Sequence, residues 1–231
     1  MRTTRQRILQ IIQRGRSETV GGLARELGLA PATVRRHLDI LQRDGLVGFT
    51  EVRKGAGRPE HSFSLTERGH ESLPKGYDSL LSALVVELGR TDAGEMAGKT
   101  GAQALDAAFT RLGHGVAQQC LESSTGTRLA TALKALRDRD FEPELSEGPG
   151  GTRISLSNCP FRSVALTDDA VCSYDTAILR AILGTPVTRE RCINRGHDCC
   201  EYVAAAEPPP AGPKGPAGIA GTGMDAAQEL A

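Results

Sequence analysis

Apolar residues recur at helical spacing three times within the first forty-odd positions. Ile8, Leu9, Ile11 and Ile12 mark one face of a helix over residues 3–13, with Arg5, Arg7 and Arg14 around it and Gly15 placed to end it. Val20, Leu23, Ala24 and Leu27 mark a second over residues 19–27, after which Gly28 frees the backbone for a tight turn. Pro31 opens a third at a position where its missing N–H costs nothing, and Val34, Leu38 and Leu41 fall at i, i+4 and i+7. The period then changes to two. Val47, Phe49, Glu51 and Arg53 alternate into a strand, Lys54-Gly55-Ala56-Gly57-Arg58-Pro59 forms a flexible basic tip, and His61, Phe63 and Leu65 alternate back.

Three helices followed by a hairpin predict a winged helix-turn-helix. With Val34, Leu38 and Leu41 in the core, Thr33, Arg35, Arg36, His37 and Asp39 lie on or near the outer side of the third helix. Arginine forks pair bidentately with guanine edges or hold phosphate, which suits a helix in the major groove of double-stranded operator DNA. Arg53, Lys54 and Arg58 at the hairpin tip suit contact with the backbone or adjacent minor groove. A solvated basic face is the plainer use of the same residues.

Thr33-Val34-Arg35-Arg36-His37-Leu38, the Gly45-Leu46-Val47 that ends the helix, Gly57-Arg58-Pro59 and Leu65-Thr66-Glu67-Arg68-Gly69 resemble the winged-helix repressors of the broad ArsR and DeoR type. The chain departs from that pattern at Ala30, where such proteins often place a Ser that caps the third helix. Loss of that cap weakens the helix start by about 1 kcal/mol without changing the fold.

Pro74-Lys75-Gly76-Tyr77 breaks the chain. Beyond it Leu80, Leu81, Leu84, Val85 and Leu88 form a helical stripe, and more helix is expected over residues 93–120. The stripe has two uses, packing on its own rear domain or meeting the same stripe of a second subunit. A homodimer is the expectation, since helix-turn-helix proteins often read paired half-sites. A helix over residues 127–136, strands near 141–145 and 153–156, a helix near 174–183 and strands near 187–193 and 200–204 complete the pattern. The fold class is therefore α+β. The expected divisions are a winged helix-turn-helix at 1–73, a helical linker and dimerisation region at 74–121, a cysteine-rich sensor domain at 122–205, and a disordered Pro/Gly-rich tail at 206–231.

Charge sharpens this division. The chain is formally neutral, yet residues 1–75 carry a net +6 and the remainder −6. A basic front suits phosphate and an acidic rear does not. No run of about 18 apolar residues and no signal-like apolar region occurs, so a cytoplasmic protein without a membrane span is expected. No phosphate loop, Ser/His/Asp arrangement or paired-carboxylate motif stands out, so no enzyme is expected.

Five of the six cysteines fall late: Cys159, Cys172, Cys192, Cys199 and Cys200. Twelve residues separate the first two and twenty-seven separate Cys172 from Cys200, too far for a compact knuckle. Ligands to a soft metal would have to arrive from separate elements. Neighbouring strand residues face opposite ways, so Cys199 and Cys200 are not expected to bind one centre together. Cys120, on a helix far upstream, reads as a small buried hydrophobe.

Asn158-Cys159-Pro160-Phe161, Val171-Cys172 and Gly196-His197-Asp198-Cys199-Cys200-Glu201-Tyr202 resemble the SufR-type bacterial repressors. The resemblance implies an iron–sulfur cluster, [4Fe-4S] or [2Fe-2S], on Cys159, Cys172 and Cys200, and repression of cluster-assembly genes while it is intact. Cys199 is the alternative third ligand, and Cys192 an additional ligand or redox partner. Arg191-Cys192, Gly196-His197 and Cys200-Glu201-Tyr202 also resemble the vinyl-reductase-like ligand-binding module, which implies zinc or a small molecule instead. A metal-free thiol switch is the third reading. His197 reads as a solvated turn residue or a donor behind a ligand more readily than as a ligand itself.

Overall fold

A computed structural model of the chain describes residues 3–53, 59–148 and 151–205. Its front unit starts with α1 (Thr4–Gly15), whose Thr3 and Gln6 close a reciprocal capping box. Gly15 is the last helical residue, and the positive φ of 66° that turns the chain falls on Arg16 instead. A non-glycine residue there stores strain of about 1–3 kcal/mol. A two-residue strand, β1 (Glu18–Thr19), follows, too short for any sequence period to show. Thr19 also caps α2 (Val20–Leu27), and Gly28, at φ 66°, ends it.

α3 (Pro31–Arg43) has Ala30 at its N-cap with no side-chain hydrogen bond, as the sequence implied. Val34, Leu38 and Leu41 are fully buried, each contributing roughly 1.5–3 kcal/mol. They meet Ile8, Ile12, Leu23 and Phe63 in the front core. β2 (Val47–Val52) and β3 (Glu60–Leu65) pair antiparallel with Phe49 opposite Phe63, and β1 adds to β3, giving the order β1-β3-β2. Thr66 then caps the short α4 (Glu67–Glu71) and donates to the carbonyl of Gly45 at 2.6 Å, locking the wing's exit onto the end of α3.

The rear unit begins with α5 (Tyr77–Arg90) and α6 (Ala93–Met96). The helical stretch expected over 93–120 is not continuous. Gly98, at φ +75°, interrupts it, and a Thr100/Gln103 capping box restarts it as α7 (Gly101–Ser123). α8 (Arg128–Arg137) leads into β4 (Pro143–Gly148) and β5 (Gly151–Leu156). Next come α9 (Arg162–Thr167), a 3₁₀ turn at Asp169–Cys172 and α10 (Ser173–Leu183). β6 (Val187–Arg191), a 3₁₀ turn at Ile193–Arg195 and β7 (Cys200–Ala204) complete it. The sheet is antiparallel in the order β4-β5-β7-β6, with Leu156 opposite Cys200. The protein is thus α+β, with a winged helix-turn-helix in front.

The helices expected to link the domains are built into the rear core. Leu80, Phe109 and Ala117 pack with Ile154, Leu156 and Ile178, so that core runs from Leu80 to Ala204. α7 lies so close to α10 that a Cβ on Gly113 would overlap the Tyr174 carbonyl and the Ala177 methyl. The other face of α5 remains open, with Leu81 and Val85 each 62% exposed and Leu88 41%. Among the described residues no helix is long and apolar enough to cross a membrane. Lys54, Arg58 and the tail at 206–231 lie outside the described residues.

Candidate thiol site and nucleic-acid interface

Thr33, Arg35 and Arg36 project from α3 into solvent, and His37 is half-buried beside them. Arg53 is exposed just past β2. The ring of Phe49 stacks on His61 at 4.1 Å, stiffening the hairpin that carries Arg53. A basic helix and a braced basic wing therefore lie on one small unit.

The rear sheet and helices bring together four thiols far apart in sequence. Cys159 follows β5, Cys172 sits at the start of α10, Cys192 leaves β6 and Cys200 begins β7. All four line one narrow cavity, with room for about one water molecule, alongside Phe141, Phe161 and Asp175. Cys200 Sγ donates to Cys192 Sγ at 3.6 Å, and Cys172 Sγ lies 4.0 Å from Cys192 Sγ. Cys192 thus stands between the two. The SufR-type resemblance left it as an additional ligand or redox partner; the turn at residues 193–196 folds β6 back on β7 and sets it between the other two.

The protonation balance follows from this packing. Hydrogen bonds from Cys172 and then Cys200 hold the Cys192 thiol far below the usual range, favouring thiolate. Its neighbours Cys172 and Cys200 are held well above theirs, first by that same bond and then by burial. Burial, with the Asp175 charge next, pushes Cys159 up to about 12. Sequence reasoning missed Asp175. It is fully enclosed, accepts a hydrogen bond from the Tyr202 hydroxyl, and burial raises it to about 6. A lone carboxylate on the same helical face as Ile178, Leu179 and Ile182 was the signal available.

Cys199 is buried but faces away from the cavity, where Arg16 Nη2 donates to its Sγ at 3.6 Å. Cys199 lies in the bend before β7 and Cys200 is the first strand residue, so the two meet different surroundings. Cys120 packs along α7 outside the cavity. His197 lies on its own turn, with Nδ1 accepting from the Cys192 N–H at 3.3 Å and 3.1 Å from the Cys192 carbonyl oxygen.

The donor set suits a soft metal, since thiolates are the ligands of zinc and of iron–sulfur clusters. Among the described residues no three His, Cys, Asp or Glu side chains already surround one ion position, so metal uptake requires the thiols to shift.

One edge of the thiol cavity is tied to the connector ahead of α5 and the other to the front unit. Asn158 Nδ2 donates to the Asp140 carbonyl at 2.6 Å and to the Pro74 carbonyl at 3.2 Å. Lys75 Nζ donates to the Cys159 carbonyl at 3.1 Å. On the opposite side Arg16 reaches Cys199 and pairs loosely with Asp198 at 3.6 Å. Arg162 grips Glu67 through two hydrogen bonds of 2.8 and 3.1 Å.

The family model described as "Bacterial regulatory protein, arsR family" matches residues 2–48. That stretch holds α1, α2, α3 and the entry to the wing, so the match falls on the helix-turn-helix of the front unit. No curated protein matches the chain. Among solved structures the chain is similar to Bacillus subtilis PadR in complex with operator DNA, at 17% identity over 79% of this chain and 98% of that one. The TM-score is 0.28.

Proposed function

We propose that this protein is a DNA-binding transcriptional regulator whose rear domain holds an iron–sulfur cluster on Cys159, Cys172 and Cys200, with Cys192 as a further sulfur ligand. The observation that carries the reading is the convergence of four thiols, from four separate segments, on one cavity braced against a helix-turn-helix. When bound, such a cluster supplies a redox-sensitive and oxygen-sensitive crosslink between those segments. The chain's own residues do the rest. Asn158 and Lys75 relay the position of Cys159 to the start of α5, and Arg16 relays the position of the Cys199–Cys200 strand to the end of α1. Repression of cluster-assembly genes is the role implied by the SufR-type pattern, and a cytoplasmic location accords with it.

A specific observation favours zinc as the second reading. Sulfurs bound tetrahedrally to one ion at about 2.3 Å lie roughly 3.8 Å apart, and the two observed spacings are 3.6 and 4.0 Å. A visible spectrum with iron, sulfide and zinc analysis, on protein purified without oxygen, separates the readings. Brown protein with iron and sulfide supports the cluster. Colourless protein with one zinc, still colourless after attempted reconstitution, overturns it in favour of zinc.

The DNA reading gives its own expectation. Arg36→Ala on α3 should weaken operator binding about 10- to 100-fold, the worth of a bidentate base contact of roughly 1–3 kcal/mol. Arg53→Ala on the wing should instead weaken binding to all sequences and reduce the salt dependence by about one phosphate contact. Titration of operator and scrambled duplexes at two salt concentrations distinguishes these roles.

The open face of α5 supports a homodimer. Leu81, Val85 and Leu88 lie at i, i+4 and i+7, an exposed stripe of the kind that buries against its own copy. Leu81→Glu with Val85→Glu should convert a dimer to a monomer in sedimentation velocity and reduce affinity for a two-half-site operator. A wild-type protein that sediments as a monomer at micromolar concentration refutes the dimer.

A further inference from the structure

Among the described residues, every ionisable group lining the thiol cavity is an acid: Asp175 and the four thiols, with no Lys, Arg or His. Phe141, Leu156, Phe161 and Val171 make the rest of that wall largely apolar, and charges act on one another far more strongly there than in water. A divalent ion held by three or four thiolates is net negative, and an ionised Asp175 adds to that charge. A buried charge of this kind is costly unless a cation lies close behind the wall.

Two cations lie in that outer layer. Lys75 donates to the Cys159 carbonyl at the rim, but Glu71 and Glu67 are among the charges that act on it. Arg189 is differently placed. It stands on β6 directly opposite Tyr202 of β7, and cross-strand partners project from the same face of a sheet. On that face the Tyr202 hydroxyl donates to Asp175. From there Arg189 Nη1 donates to the Cys172 carbonyl at 3.3 Å. Among the described residues no Asp or Glu forms an ion pair with Arg189, so its charge is not already matched. Burial works against that charge, yet Tyr202, Cys172, Cys192 and Asp175 together outweigh it and hold the guanidinium above its ordinary range.

We propose that Arg189 is the counter-charge of the thiol centre, a positioning residue that offsets the negative charge the thiols acquire on ligation and so sets the affinity for metal. The proposal rests on the reading of that centre as a metal or cluster site. For an iron–sulfur cluster Arg189 also sets the reduction potential, because a nearby cation favours the more negative, reduced state. It acts through its field and through the Cys172 carbonyl, and it ligates nothing.

The test measures zinc affinity of the metal-free full chain by competition with a chromogenic chelator. The variants are Arg189→Met, Arg189→Gln, Arg189→Lys and Cys172→Ser. Arg189→Met and Arg189→Gln should each bind zinc about 10- to 100-fold more weakly than wild type, the usual loss when a group behind the ligands is removed. Arg189→Lys, which keeps the charge, should recover most of the affinity. Arg189→Gln separates field from contact, since it keeps a donor for the Cys172 carbonyl without the charge. In cluster-loaded protein the midpoint potential should move negative in Arg189→Met and stay near wild type in Arg189→Lys. Wild-type zinc affinity in Arg189→Met or Arg189→Gln overturns the proposal, and so does an Arg189→Lys no better than Arg189→Met. A fall in the melting temperature of the metal-free variants that tracks their loss of zinc would make the role structural and overturn it as well. A wild-type chain that binds zinc no better than Cys172→Ser would instead sink the thiol centre itself.

Discussion

Cys192→Ser and Cys172→Ser are each expected to abolish the cluster chromophore and to change operator affinity about 5- to 150-fold, the usual span of a coupling between two sites. Cys200→Ser should do the same, whereas Cys199→Ser and Cys120→Ser should leave the colour intact. The sharp comparison is between adjacent residues. Cys200 donates to Cys192 inside the cavity, while Cys199, one position earlier, turns out toward Arg16. Iron and sulfide content, the visible spectrum and operator titration on the five variants provide the measurement. Loss of the chromophore from Cys199→Ser with retention in Cys200→Ser would reverse the assignment. Retention of colour and wild-type affinity in all five would remove the thiols from sensing altogether.

The size of the coupling rests on the two ties of the thiol cavity, one to the connector ahead of α5 and one to the front unit. An occupant that draws Cys159 and Cys200 toward Cys192 pulls on the Lys75 contact at one edge and on the Arg16 contacts at the other. Arg16 already sits at φ 66°, an unfavourable backbone state for its side chain. A strained hinge at the end of α1 is a natural place for a small shift to change how α3 is presented.

The front unit was legible because its signals are local. Helical periods, Gly28, Pro31 and alternating strands depend on residues within a few positions of one another, and Val34, Leu38 and Leu41 are buried as their spacing implied. β1 was illegible, since two residues carry no period and the strand exists only because β3 offers it an edge. In the rear unit the cysteines announced a site, but not the place of Cys192 between Cys172 and Cys200. Cys192 becomes central through a sheet register and a turn that pair residues eight positions apart, and no pattern in one strand contains that information. Asp175 and the Arg16–Cys199 contact are likewise products of long-range packing. The helical stretch over 93–120 likewise hides its interruption, because the break rests on one glycine, Gly98, at φ +75°.

Gly69 shows how a motif can be recognised before its physics is. In the sequence it closes Leu65-Thr66-Glu67-Arg68-Gly69 and marks the end of the wing. In the fold its Cα faces the carbonyl of Leu46 so closely that any Cβ would overlap that oxygen and crowd Leu65. The obstacle is backbone, held in place by the Thr66 bond to the Gly45 carbonyl and by the Thr66 N–H to the Leu46 carbonyl at 3.1 Å. It cannot swing aside as a side chain can. Gly69→Ala should therefore cost about 2–4 kcal/mol, at or above the usual range for overpacking. For a unit of about 70 residues that lowers its melting temperature by roughly 10–20 °C, with operator binding lost in step. Gly15→Ala is the control, since its Cβ meets nothing within 4 Å and its backbone is helical. It should be neutral or stabilising by up to about 1 kcal/mol. Thermal unfolding of both variants decides the matter: equal melting temperatures would mean that the Leu46 carbonyl yields, and that the wing is fastened to α3 more loosely than its hydrogen bonds imply.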